Sequence, residues 1–251
     1  MLQKVFFCFY QLSLIVLFFL LTAAWGMVCY VASFFRGGED RAHGYLIHWA
    51  KVCLRLGRVK ITVVGLERLD LKKTYVFMPN HASFLDILLV FACVPHKFRM
   101  IVKEEVFSIP FLGLAVRSSG QIPLNRDNPR KGLRSIKSAA DLLRKGISIV
   151  VFPEGTRTPD GSVREFKTTL FVLPIRTQTP VVPVLIEGSY QALRRGRVLL
   201  NRCPMKLTFL DPVPADSLSD KDRALYADKV RQTLIGPAQE PIPEARQARS
   251  A

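Results

Sequence analysis

Acidic residues are scarce in this chain, and paired cysteines, metal-ligand spacings and internal repeats are absent. Among 251 residues, 36 Lys and Arg face only 20 Asp and Glu, a formal net charge of +16. The five cysteines, Cys8, Cys29, Cys53, Cys93 and Cys203, are scattered, odd in number and free of Cys-x-x-Cys spacing. That pattern argues against a disulfide framework and against a zinc site. His43, His48 and His96 show no ligand spacing with one another, so no metal is expected.

An excess of positive charge points to nucleic acid or to anionic lipid. The segment from Val5 to Phe35 decides for lipid. It is almost wholly apolar, broken by Gln11 and a few small or hydroxyl residues, and it exceeds the roughly 20 residues needed to span a bilayer. As one straight helix it would be longer than the hydrocarbon core, so it must tilt, bend near Gly26 or place one end in the interface. Trp25, Tyr30, Phe34 and Phe35 suit the interfacial level. A cleaved signal peptide ending at Thr22-Ala23-Ala24 is the competing reading, but its apolar region would be longer than usual. Lys4 stands alone before the span, whereas Arg36, Arg41, Lys51, Arg55, Arg58 and Lys60 follow it. The positive-inside rule then puts the main domain on the cytoplasmic side, at the inner membrane of a cell. Arg194, Arg195, Arg197 and Arg202, set among Leu193, Val198, Leu199 and Leu200, form either a surface for anionic head groups or a solvated basic loop. A nucleic-acid partner would explain the charge but not the anchor.

After an apolar-periodic stretch over 42–56, short β-branched runs alternate with helix-like segments. Strands are expected at 59–64, 74–78, 99–102, 147–152, 181–186 and 205–209, and helices at 83–93, 129–145 and 221–234. Pro183 demotes its run toward an edge or bulged strand. This alternation predicts an α/β fold, a mixed, mostly parallel sheet flanked by helices. The organisation read from it is a membrane anchor with a juxtamembrane helix over 1–58, one catalytic domain over 59–235, and a flexible tail over 236–251.

His81 and Asp86 stand five residues apart. Ser83, three residues before Asp86 and just ahead of an apolar run, has the form of a helix capping box. On one continuous helix His81 and Asp86 would diverge by about 140°. With His81 in the turn before the helix, its ring can instead fold back onto the carboxylate, which fixes the tautomer and leaves the second ring nitrogen free as a base. The pair alone also fits an ordinary turn histidine and a cap. Downstream, Phe152-Pro153-Glu154-Gly155-Thr156-Arg157 brings a glycine, a hydroxyl and a guanidinium to the end of a strand. Gly155 permits close approach, Thr156 donates, Arg157 offers a fork suited to phosphate, and Glu154 can hold Arg157 or a substrate hydroxyl. Arg126, after the run from Gly120, is a second candidate phosphate clamp, and Lys167 a source of further positive charge.

Taken in order, these blocks resemble the glycerolipid acyltransferase family typified by bacterial 1-acyl-glycerol-3-phosphate acyltransferase, over roughly residues 60–210. The His-x4-Asp block matches through His81 and Asp86, the second through Gly120 and Arg126, the third through residues 152–157, and a proline block through Val182-Pro183-Val184. The resemblance implies that His81 and Asp86 are catalytic and that Arg126, Glu154, Gly155, Thr156 and Arg157 bind the acceptor phosphate, with Ser83 and Lys167 in support. It implies an acyl donor, either acyl-CoA or acyl-carrier protein, a lysophospholipid acceptor, an anionic membrane surface, and no cofactor beyond the donor. Members often read Phe-Lys-x-Gly after the third block, whereas this chain has Phe166-Lys167-Thr168-Thr169. Glycerol 3-phosphate, lyso-ornithine lipid and other lysophospholipids are the alternative acceptors, and a non-catalytic lipid-binding protein is the alternative class.

Overall fold

The computed structural model describes residues 2–125 and 128–238. Helix α1 (Leu2–Ser33) contains Phe9–Ser33, the one helix among the described residues that is long and apolar enough to cross a membrane. It turns through Gly37, at φ +70°, into α2 (Gly38–Leu56), and the two pack as an antiparallel hairpin. Phe18 meets Trp49 with ring centroids 5.8 Å apart, Trp25 stacks on His48 at 5.6 Å, and the Cys29 thiol donates to the carbonyl of Ala42. The helix runs unbroken through Gly26. There the missing side chain lets the α1 backbone lie directly against Phe111, so this glycine provides close approach. The other side of α1 is bare: Phe9, Leu12, Val16, Phe19, Leu20, Met27 and Val31 are exposed.

The remaining elements alternate. They are β1 (Ile61–Val64), β2 (Val76–Pro79), α3 (Leu85–Cys93), β3 (Phe98–Lys103), α4 (Leu112–Ser118), β4 (Ile122–Leu124), α5 (Pro129–Arg144), β5 (Ser148–Val150), α6 (Val172–Thr177), β6 (Val181–Glu187), α7 (Ser189–Ala192), β7 (Met205–Phe209) and α8 (Arg223–Ala238). The strands form one sheet in the order β1-β7-β6-β2-β5-β3-β4. Every pairing is parallel except β6 with β7. Central strands of such a sheet are covered on both faces and need apolar residues at consecutive positions. Val76, Phe77 and Met78 supply them in β2, and Val181 to Ile186 in β6. One face carries α1 to α4 over a core that includes Phe77, Phe98 and Leu89. The opposite face carries α5, α6 and α8 over Ile149, Phe171 and Leu173.

The structure corrects the reading of Pro183. Its strand lies inside the sheet, between β7 and β2. The ladder to β7 begins at Val184, opposite Phe209, so proline's missing N–H falls just beyond the end of β7. The Pro183 carbonyl still accepts from the amide of Leu210, and the strand loses only one terminal bond. Two elements had no clear signature. Pro123 interrupts β4, which its edge position tolerates. The Ile109-Pro110-Phe111-Leu112-Gly113 run hides α4 behind helix-breaking residues. Residues 236–238 continue α8, whose buried Leu234 anchors its last turns; Arg126 and residues 239–251 lie outside the described residues.

Candidate active site

The turn between β2 and α3 is built from side-chain bonds to its own backbone. Asn80, the first residue past β2, pins the turn to β6: its amide nitrogen donates to the Ile186 carbonyl at 2.9 Å, and its oxygen accepts from the Ile186 amide at 2.7 Å. Asp86, in the first turn of α3, is wholly buried. Its Oδ2 accepts from the backbone N–H of Ala82 and of Ser83, each at 2.7 Å. The same oxygen lies 2.9 Å from His81 Nδ1. Half of the expected capping box is therefore present, the carboxylate reaching back to the backbone. Ser83 turns elsewhere: its hydroxyl accepts from the Leu85 amide at 3.2 Å and donates to the Leu193 carbonyl at 2.7 Å.

His81 sits outside the helix with its ring folded toward Asp86. The imidazole stacks on Phe152, centroids 4.1 Å apart and planes 25° from parallel. Two bonds from the loop after β5 fix its backbone. The His81 N–H donates to Glu154 Oε1 at 2.7 Å, and the His81 carbonyl accepts from the Thr158 N–H at 2.9 Å. The third sequence block is thus folded against the first. Gly155, at φ +74°, makes the reversal that brings Glu154 inward.

His81, Phe152, Gly155, Thr156, Arg157 and Lys167 share the wall of a cavity of about 960 Å³. One arm runs between α2, α3, β3 and α4 and is apolar, lined among others by Trp49, Phe84, Ile87, Phe91, Ile109 and Leu112. Another reaches α5, α6 and α8 through Leu133, Ile136, Val172, Arg176 and Arg223. Thr156 and Lys167 are exposed, and Arg157 is half-buried beside them. Of the predicted site residues, the structure brings together His81, Ser83, Asp86, Glu154, Gly155, Thr156, Arg157 and Lys167; Arg126 is outside the described residues. Sequence reasoning missed Asn80 and Thr158, whose partners are distant in the chain, and the α4 segment that closes the apolar arm. Among the described residues no three His, Cys, Asp or Glu side chains gather as a metal site.

Glu154 is oriented differently from the sequence expectation. It is 3% exposed, and its second oxygen accepts from the Arg164 N–H at 3.3 Å, so one oxygen is bonded to the His81 turn, the other to its own loop, and neither to Arg157. Burial pushes its carboxyl up to about 7, although the two N–H bonds favour the charged form. The folded protein then holds a proton on Glu154 that the unfolded chain, with a value near 4.5, has already lost. Stability contributed at this site therefore falls as pH rises from about 4.5 to about 7. Glu154→Gln removes that dependence. Relative to wild type, the variant should gain stability across this window, by at most on the order of 3 kcal/mol. Denaturant unfolding at both ends of the window reads the difference, and parallel pH profiles for the two proteins would contradict it.

The acyltransferase family model matches residues 60–187, half of the chain. A chloroplastic 1-acyl-sn-glycerol-3-phosphate acyltransferase of Arabidopsis thaliana is 34% identical over 176 residues, 68% of this chain and 49% of that protein. The alpha form of the enzyme of that name from Bos taurus is 31% identical over 181 residues, 70% of this chain and 62% of its own length. The chain spans about half the length of the chloroplastic relatives it matches. A solved 1-acyl-sn-glycerophosphate acyltransferase from Thermotoga maritima superposes with a TM-score of 0.78 over 95% of this chain and 99% of that one, at 24% identity, and shares the fold. With its matched segment holding both the His81 turn and the loop of Glu154 to Arg157, this chain belongs to the acyltransferase family.

Proposed function

We propose that this protein is a membrane-associated O-acyltransferase. It moves a fatty acyl group from acyl-CoA or acyl-carrier protein to the free sn-2 hydroxyl of 1-acyl-glycerol-3-phosphate, giving phosphatidic acid. The observation that carries the reading is the position of His81, on the wall of one cavity that joins cations suited to a phosphate with an apolar arm suited to an acyl chain. The activity named for the relatives points the same way.

Asp86 Oδ2 already accepts two backbone N–H bonds, so the contact with His81 makes Nδ1 the donor and leaves Nε2 with a free lone pair. Nε2 removes the proton of the acceptor hydroxyl as its oxygen attacks the thioester carbonyl. The tetrahedral intermediate collapses with cleavage of the C–S bond, and the imidazolium returns the proton to the departing thiolate. Asp86 stabilises the imidazolium between these steps. The attack is direct, with no acyl-enzyme. Arg157, with Thr156 and Lys167 beside it, holds the acceptor phosphate and selects which hydroxyl reaches Nε2. Arg126 completes the clamp from the block after β4. Glu154 acts on the phosphate site indirectly, by holding the loop that presents Thr156 and Arg157 against the His81 turn. The acyl donor is a co-substrate, and no cofactor takes part.

The bare side of α1 lies in the bilayer, with the catalytic domain on the cytoplasmic side of the inner membrane. Its other side packs on the domain through Gln11 on Leu200, Phe18 on Phe84 and Gly26 on Phe111, so the apolar arm of the cavity is held close to the lipid that supplies the acceptor. The basic loop extends this surface. Gln11 forms a two-bond clasp with the backbone of Leu200, at 2.8 and 3.1 Å, and Arg202 lies over the Tyr10 ring at 4.9 Å. Exposed Val198 and Leu199 thus continue the apolar side of α1 among arginines that meet anionic head groups.

Membranes containing His81→Ala should form phosphatidic acid from lysophosphatidic acid with kcat reduced by about 10² to 10⁴, the range for loss of a general base. Full activity in that variant would sink the mechanism. Arg157→Ala should raise KM for the lysophosphatidic acid acceptor well above any change in KM for the donor. An equal rise for both substrates would remove the phosphate clamp.

A further inference from the structure

The sheet face opposite α1 carries a second charged element that acyl transfer has not used. Arg130, Arg134 and Lys137 fall at intervals of four and three residues along α5 and so share one face of the helix. Leu133 lies among them and is 63% exposed. No acidic residue occurs between Asn128 and Ala140. Lys131 is tied to Glu104 at 3.0 Å, while among the described residues no ion pair engages Arg130, Arg134 or Lys137. Cations in the first half of a helix oppose its macrodipole, so they do not serve the stability of α5.

The placement of this stripe narrows its partner. The inner side of α5 packs through Ala139 and Leu143 into the core shared with α6 and α8, whereas α1 packs through Phe18 and Trp25 on the other core. The stripe is therefore turned from the surface assigned to lipid. Gly132, Leu133 and Ile136 of the same helix also line the cavity whose wall holds His81. A partner seated on the stripe can pass a flexible arm beside Leu133 toward the reacting centre. A nucleotide phosphate needs cations that converge on one point; a row of exposed cations about one turn apart, with an apolar residue among them, fits the extended acidic surface of a protein.

We propose that this face of α5 docks the acyl-carrier protein, a small acidic protein that bears the acyl thioester on a flexible arm, and that the arm enters the cavity past Leu133. The proposal rests on the acyl-transfer reading. It is tested with the full-length protein in detergent micelles, as wild type and as the triple variant Arg130→Glu, Arg134→Glu, Lys137→Glu, with saturating lysophosphatidic acid and donors of one chain length. For acyl-carrier protein, KM should rise about tenfold or more in the variant, and wild-type KM should climb with salt; KM for acyl-CoA should stay within about twofold. Equal shifts for both donors, no shift for either, or wild-type turnover with acyl-CoA alone would each overturn the docking site. Binding of labelled acyl-carrier protein, followed by fluorescence anisotropy without turnover, separates the two readings. No turnover with either donor, but binding that the charge reversal weakens about tenfold, would refute the reaction and keep the docking face; no binding by wild type would refute the face itself. Leu133→Ser, which leaves the charges in place, should weaken the same binding.

Discussion

A single carboxylate oxygen organises this protein. Asp86 Oδ2 collects the N–H groups of Ala82 and Ser83 and faces Nδ1 of His81. Hydrogen bonds to a charged group are worth about 1.5–3 kcal/mol each, and breaking one in a buried site costs more. The turn therefore has one geometry, and α3 starts where that geometry leaves it. The backbone of His81 is held again from outside by Glu154 and Thr158, and its ring by Phe152. In the proposed reaction His81 is a general base, which must keep its lone pair aimed within a small angle, and these contacts set that aim.

Under the proposed function, the remainder of the fold brings lipid to that lone pair. Parallel strands end on the same side of the sheet, so the turn after β2 and the loop after β5 meet there, as loops at the carboxyl ends of such strands do. The α1–α2 hairpin walls one side of the cavity through Trp49, and the loop after α7 ties the His81 turn to α1. Ser83 bonds to Leu193 at one end of that loop, and Gln11 clasps Leu200 near the other. One short segment thus connects the His81 turn, the arginine-bearing loop and the apolar helix.

How much of this the sequence disclosed depended on chain separation. The Asp86 contacts span at most five residues, so spacing and a capping pattern sufficed to place His81 in a turn with its ring folded back. Most strands were legible because buried parallel strands are continuous apolar runs. Glu154 was misdirected for the opposite reason. Its neighbour in the chain is an arginine-bearing turn, but its bonding partner, the His81 amide, lies 73 residues away. Nothing in a linear motif distinguishes a carboxylate that binds ligand from one that holds backbone. Pro183 misled because its cost depends on where the neighbouring strand stops, which is a property of the assembled sheet. The α4 segment carried no periodicity, since Pro110 and Gly113 obscure it, yet it closes the apolar arm.

In the proposed mechanism Asp86 holds the proton of neutral His81 on Nδ1 and leaves Nε2 free to act as base. Nitrogen NMR of the protein labelled at histidine, in micelles, with His81→Gln used to assign the resonance, measures this directly. The account predicts that neutral His81 is the Nδ1–H tautomer in wild type and that Asp86→Asn shifts the population away from it, with acyl transfer falling in step. A neutral His81 protonated on Nε2 in the wild-type protein would contradict it.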